Sequence, residues 1–128
     1  MPTYNSEKFI KIAIDSVVSQ TCSDWELIIV DNHSSDNTVL LAQKYSDSRI
    51  KVLDICNNGV VAASRNKGIS VANGDWLAFL DSDDAWMPEK LEGFLNYITN
   101  NSSVEILASD ILVVAHDGDN RFLTRSLG

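Results

Sequence analysis

The sequence predicts an α/β fold, a mostly parallel sheet with helices on both faces. Three observations carry that reading. Short continuous apolar runs alternate with stretches whose apolar residues recur at helical spacing, so strands and helices take turns along the chain. Clusters of Asn, Asp, Ser and Gly punctuate the changes. Two of the apolar runs end abruptly in aspartate, at Asp31 and Asp81, as strands do when they deliver polar residues to one edge of a sheet. At 128 residues the chain suits a single domain with a real core.

Phe9, Ala13 and Val17 run beside Ile10, Ile14 and Val18, so a helix is expected from about residue 7 to 20, capped by Asn5 or Ser6. Leu27 to Val30 reads as a strand buried on both faces. Asn32 to Asp36 then leads into a second helix bearing Val39, Leu40, Ala42 and Tyr45, with Ser35 or Asp36 as cap. Ile50 to Leu53 is a short strand, and Asn57-Asn58-Gly59 a turn before a third helix from about Val60 to Val71. Asn73-Gly74 closes that helix, and Trp76 to Leu80 is expected to be the strand that carries the acids. Pro88 opens a fourth helix through Leu91, Phe94, Leu95 and Ile98 that stops near Asn100-Asn101. Val104 to Ala108 and Ile111 to Ala115 read as further strands, with a hairpin turn at Asp117-Gly118 into Phe122-Leu123.

Asp81-Ser82-Asp83-Asp84 is the candidate site. In an extended segment side chains alternate, so Asp81 and Asp83 can share a side, and converging carboxylates suit a hard cation such as Mg2+ or Mn2+. Alone, the cluster reads more readily as a polar turn capping the next helix. The parallel sheet shifts the balance, because ligands gather beyond the carboxyl ends of its strands and Asp31 and Asp81 both stand there. Arg65 sits in a helix of small apolar residues, either as a solvated side chain or as a partner for an anion. The turn at Gly59 lacks the GxGxxG spacing, and Trp25, Trp76 and Trp86 are assigned no chemistry.

A formal charge of −8 argues against nucleic acid as a partner, since phosphate backbones are held by clustered Lys and Arg. Cys22, Cys56, His33 and His116 form no zinc-like spacing, and a reduced cytosolic protein is the simplest reading of the two cysteines. The apolar runs fall far short of the roughly 20 residues that span a bilayer. Peripheral contact with a membrane stays open.

Several blocks together carry a resemblance: Pro2-Thr3-Tyr4-Asn5, Trp25 to Asn32, Ser34 to Thr38, Ala63-Ser64-Arg65-Asn66-Lys67-Gly68 and Phe79 to Asp84. In that order and spacing the chain resembles family 2 glycosyltransferases, closely from Pro2 to about Leu91 and more loosely beyond. The resemblance implies the Rossmann-like glycosyltransferase A fold and transfer of a sugar from a nucleoside diphosphate sugar, in particular a UDP-sugar, to an acceptor hydroxyl, metal-assisted and inverting. By the same resemblance Pro2, Thr3 and Tyr4 line the nucleotide pocket, Asp31 hydrogen-bonds the base, and Arg65 lies beside the nucleotide. Asp81 and Asp83 match the DxD motif that holds Mn2+ or Mg2+ against the diphosphate, with Ser82 between them and Asp84 in support. The acceptor, whether saccharide, lipid-linked or protein, is not specified.

The family's general base belongs to its second half, and neither Asp110, Asp117 nor Asp119 stands in the expected motif, so the base is expected beyond Gly128. The expected unit, residues 1–128, is a nucleotide-sugar-binding domain and a fragment lacking the first strand and most of the acceptor half. Without that central strand the chain would recruit one from another copy, as a homodimer, or bury an altered sheet edge. The expected location is cytoplasmic, at or near the inner face of the membrane. Two other readings stand beside the transferase: a nucleotide- and metal-binding module without turnover, and, more distantly, a phosphohydrolase of the haloacid dehalogenase type, which also uses Asp-x-Asp after a strand.

Overall fold

The computed structural model describes residues 1–109 and, by their backbone, the strands Ile111–Val114 and Arg121–Thr124. The chain divides into two compact units, Met1–Gly93 and Phe94–Gly128. The first unit carries the candidate site. Its elements are β1 (Pro2–Thr3), α1 (Ile10–Val18), β2 (Leu27–Asp31), α2 (Thr38–Ala42), β3 (Ile50–Asp54) and α3 (Val61–Ile69), with α4 (Lys90–Asn100) beginning at its end.

The sheet is parallel in the order β1-β2-β3, as the alternation of strands and helices predicts. β2 is its centre and is buried along its whole length. Its two faces serve different helices. Leu27 and Ile29 join Ile10, Ile14 and Val17 of α1 and Ala42 of α2 in one core cluster. Ile28 and Val30 point the other way, where a Cβ added at Gly68 of α3 would lie 3.5 Å from Val30 and 3.9 Å from Ile28. The continuous apolar run of β2 is thus explained by helices on both faces.

The end of the expected first strand is present. The Met1 ammonium donates to Ile28 O at 2.9 Å, Val30 N to Met1 O at 2.8 Å and Asn32 N to Thr3 O at 2.9 Å, so Met1 and Thr3 turn their polar groups to β2. Pro2 turns outward.

That orientation bears on a correction. Trp76 to Leu80, expected as a strand, joins no ladder. On β1's outer edge the residue that faces a neighbour is Pro2, which has no N–H to give. Leu80 alone enters the core, 4% exposed, while Trp76, Leu77 and Phe79 are 42%, 49% and 57% exposed. Leu80 nevertheless fixes where Asp81 emerges.

A second correction concerns α1, which starts at Ile10 rather than residue 7 and has no side-chain cap. Asn5 and Ser6 are engaged elsewhere. The N–H of Glu7 is instead held by Asp36 Oδ2 at 3.0 Å, a partner 29 residues away that no local pattern announces. α2 starts as expected, with Asp36 Oδ1 accepting the N–H of Thr38 at 2.9 Å. Asn57 performs the same service for α3, its Oδ1 accepting the N–H of Val60 at 3.0 Å.

In the second unit β4 (Ile111–Val114) and β5 (Arg121–Thr124) pair antiparallel, Leu112 opposite Leu123. Val104 to Ala108 is not a strand, and the Asp117-Gly118 turn lies outside the described residues. So do Asp110, Asp117 and Asp119. Cys22 and Cys56 are both free thiols. Among the described residues no helix is long and apolar enough to cross a membrane.

Candidate functional site

Three loops leave the carboxyl edge of the sheet, and each contains a residue with a left-handed backbone: Asn5 after β1, His33 after β2 and Asn58 after β3, at φ of 46°, 60° and 54°. Non-glycine residues adopt that region rarely, and Asn is among the most tolerant. Gly59, at φ 82°, extends the last turn.

A cleft of about 280 Å³ opens at this edge. Pro2, Thr3 and Tyr4 line one part of it, and Asp81, Ser82 and Asp83 another. The two blocks that the sequence singled out therefore meet. Asn32, Gly59, Val61 and Ser64 complete the wall and were not singled out. Asn32 is fixed by accepting the N–H of Asn57 at 3.1 Å, and Ser64 by accepting from Asn57 Nδ2 at 2.8 Å. An Asn placed to cap a helix and bridge back to the preceding strand's loop was the available signal. The Thr3 hydroxyl is buried at the cleft without a hydrogen-bond partner.

Asp31 is placed differently from Asn32. It is 1% exposed and does not line the cleft. Its Oδ2 accepts the N–H of Ser34 at 2.8 Å and its Oδ1 the Ser34 hydroxyl at 2.5 Å, two bonds to the residue three positions on that hold the loop after β2. A second brace crosses from the loop after β1: Asn5 N donates to Ser34 Oγ at 2.9 Å, and Ser35 N to Asn5 Oδ1 at 2.9 Å. Glu7 Oε2 accepts the N–H of Asn37 at 3.1 Å.

Arg65 reaches the acids. Its Nη2 donates to Asp81 Oδ1 at 2.8 Å, with both side chains partly exposed, and its Nε is buried with no partner. Its guanidinium also sits 6.0 Å from the centre of the Phe79 ring. Burial first, and then the charges of Asp83 and Asp81, lift the Asp84 carboxyl above its ordinary value, while Lys90 works against them. Negative charge is in excess here.

Among the described residues no three His, Cys, Asp or Glu side chains form a ready metal cage. The donor set still fits Mg2+ or Mn2+, because such ions take one or two carboxylates and complete their shell with water and phosphate oxygens. Asp81 and Asp83 line one cleft and offer hard oxygens of that kind.

The sequence profile of Glycosyl transferase family 2 matches residues 1–121. Over 102 residues the chain is 43% identical to the UDP-Glc:alpha-D-GlcNAc-diphosphoundecaprenol beta-1,3-glucosyltransferase WfgD of Escherichia coli, a match covering 80% of this chain and 40% of that protein. It is 41% identical to the putative teichuronic acid biosynthesis glycosyltransferase TuaG of Bacillus subtilis, covering 79% of this chain and 41% of that one. The crystal structure of S. aureus TarS 1-349 in complex with UDP-GlcNAc superposes with a TM-score of 0.72 at 31% identity, over 79% of this chain and 30% of that one. The chain thus spans about two-fifths of the length of these curated relatives.

Proposed function

The chain belongs to glycosyl transferase family 2, and on that premise we propose that its cleft binds the donor of a sugar transfer, a nucleoside diphosphate sugar with UDP as the nucleotide. One observation carries the reading: Pro2, Thr3 and Tyr4 share a cleft with Asp81 and Asp83, at the carboxyl edge of a parallel sheet. Two relatives support UDP in particular, since WfgD is named for UDP-Glc and TarS is solved with UDP-GlcNAc. Membership of the family sets the phosphohydrolase reading aside.

In this reading Pro2 to Tyr4, with Asn32 beside them, receive the nucleoside. Asp31 acts at the same edge through Ser34, its buried carboxylate holding the loop after β2 against which the base would rest. Asp83, with Asp81, would hold Mn2+ or Mg2+, which would take up the negative charge that develops on the departing diphosphate. Arg65 holds Asp81 through its Nη2 and so lies beside the nucleotide's phosphates in this reading. Transfer breaks the bond between the anomeric carbon and the phosphate oxygen and forms one to the acceptor oxygen, whose proton passes to a base. No described side chain is assigned that role.

The names of WfgD and TuaG support an envelope polysaccharide or lipid-linked saccharide as the acceptor class. A second reading has its own observation. The chain matches only about two-fifths of these relatives, so donor binding without turnover by the chain alone is the narrower claim. Calorimetry with UDP, GDP and dTDP, each with and without Mn2+, tests the proposal. Metal-dependent binding of UDP is expected, and binding of none of them overturns it. Release of sugar from UDP-glucose or UDP-GlcNAc to water by the chain would overturn the narrower claim.

A further inference from the structure

Ser82, between the two cleft acids, makes a buried contact that the donor reading does not use. It is 7% exposed, and its Oγ lies 2.8 Å from Oγ of Ser6, itself 8% exposed, across 76 residues of sequence. Ser6 is fixed on two further sides. Its N–H donates to Thr38 Oγ1 at 2.7 Å, and its hydroxyl donates to Tyr4 O at 3.2 Å. With its own proton directed to Tyr4, Ser6 can only accept from Ser82, so the Ser82 hydroxyl is the donor in the pair. Thr38, fully buried at the start of α2, passes its proton to Asp36 Oδ1. Ser6 therefore ties Ser82 to the loop after β2, its hydroxyl accepting from Ser82 and its backbone N–H bonding the Thr38 hydroxyl that Asp36 holds.

The triplet needs such an anchor. The segment before it joins no ladder, and Leu80 is its one residue in the core. Instead of continuing as an extended strand, Ser82 and Asp83 form a turn closed by the Asp84 N–H on Asp81 O at 3.2 Å, so the seat of Ser82 on Ser6 holds the turn whose Asp81 and Asp83 both line the cleft. We propose that Ser82 is a positioning residue: its hydroxyl, seated on Ser6, turns the two flanking carboxylates into the cleft together. The inference rests on the donor-binding reading and refines it, because Ser82 then acts through its neighbours rather than by touching the nucleotide.

The test is calorimetry of UDP with the full chain and its Ser82→Ala, Ser6→Ala and double variants, each with and without Mn2+, beside thermal melting. Losing the clamp should weaken binding of UDP in the presence of Mn2+ about fivefold, the scale of one hydrogen bond, and leave metal-free UDP binding unchanged. The double variant should be no worse than either single one, and Ser82→Thr, which keeps the hydroxyl, should bind as the parent does. Equal weakening with and without metal would mark a merely structural role and overturn the inference, as would additive losses in the double variant. If the parent binds UDP and Mn2+ but Ser82→Ala does too, with the same affinity, the inference alone falls. If the parent shows no metal-dependent binding, the donor reading falls and takes the inference with it.

Discussion

The loops after β1 and β2 and the segment from Trp76 to Asp84 face the same cleft, yet they are built in opposite ways. The first pair is laced together. Asn5, Glu7, Asp31, Ser34, Asp36, Asn37 and Thr38 exchange side-chain and backbone hydrogen bonds across some thirty residues of sequence. The second has no ladder, exposes Trp76, Leu77 and Phe79, and ends in three carboxylates, the first of them paired with Arg65. One wall is fixed before any ligand arrives, while the other gathers charge that a ligand and its cation would neutralise. A fixed wall suits a part of the ligand that is always the same shape, and a charged one suits the part that reacts.

The largest effect should come from the charged wall. Asp83→Ala should weaken Mn2+-dependent UDP binding by about 30-fold, the worth of roughly 2 kcal/mol for a charged contact, without lowering the melting temperature. An unchanged affinity would remove Asp83 from the metal site. The laced wall should answer in the opposite measure. Thr38→Val leaves the Ser6 N–H and the Asp36 carboxylate without their shared hydroxyl in a fully buried position, and should cost about 2 kcal/mol of stability in denaturant unfolding.

Acid should separate the walls more gently. In Asp36 burial pushes the carboxyl up, but hydrogen bonds from Thr38 and Glu7 outweigh it and hold it below its ordinary value. Its contribution is complete above the unfolded-state pKa and is lost as pH falls through the lowered folded one. Asp84 is raised, so it favours folding at low pH and withdraws that help as pH climbs from the unfolded value through the raised folded one. A carboxyl NMR titration should find Asp84 titrating first on acidification and Asp36 well after it. The reverse order would contradict the contrast between the walls. Smallest of all, Phe79→Ser should shift stability by no more than about 0.5 kcal/mol, since the ring is already 57% exposed.

Much of the fold was legible because it rests on local pattern. β2 and β3 fall where continuous apolar runs end in polar loops, and α3 and α4 where apolar spacing and Pro88 put them. What pattern could not show is pairing. Trp76 to Leu80 has the composition of a strand but pairs with none, and Glu7 is capped from a distant loop. The site divides in the same way. Asp81, Ser82, Asp83 and Pro2 to Tyr4 stand out by spacing and do meet, whereas Asn32 and Ser64 are ordinary loop and helix residues until Asn57 draws them to the cleft. Asp31 stood out for its place at a strand end, but the Ser three positions on, which occupies both its oxygens, was the sign of a turn.

Pro2 has a meaning beyond the chain it belongs to. An open sheet edge in a unit that also exposes Trp76, Leu77 and Phe79 is the kind of surface on which like molecules stack into aggregates. An imino acid at its outward position takes away the donor that such stacking needs, and a charge of −8 keeps neighbouring molecules at a distance. Pro2 thus blunts the outer side of β1 against pairing with another copy.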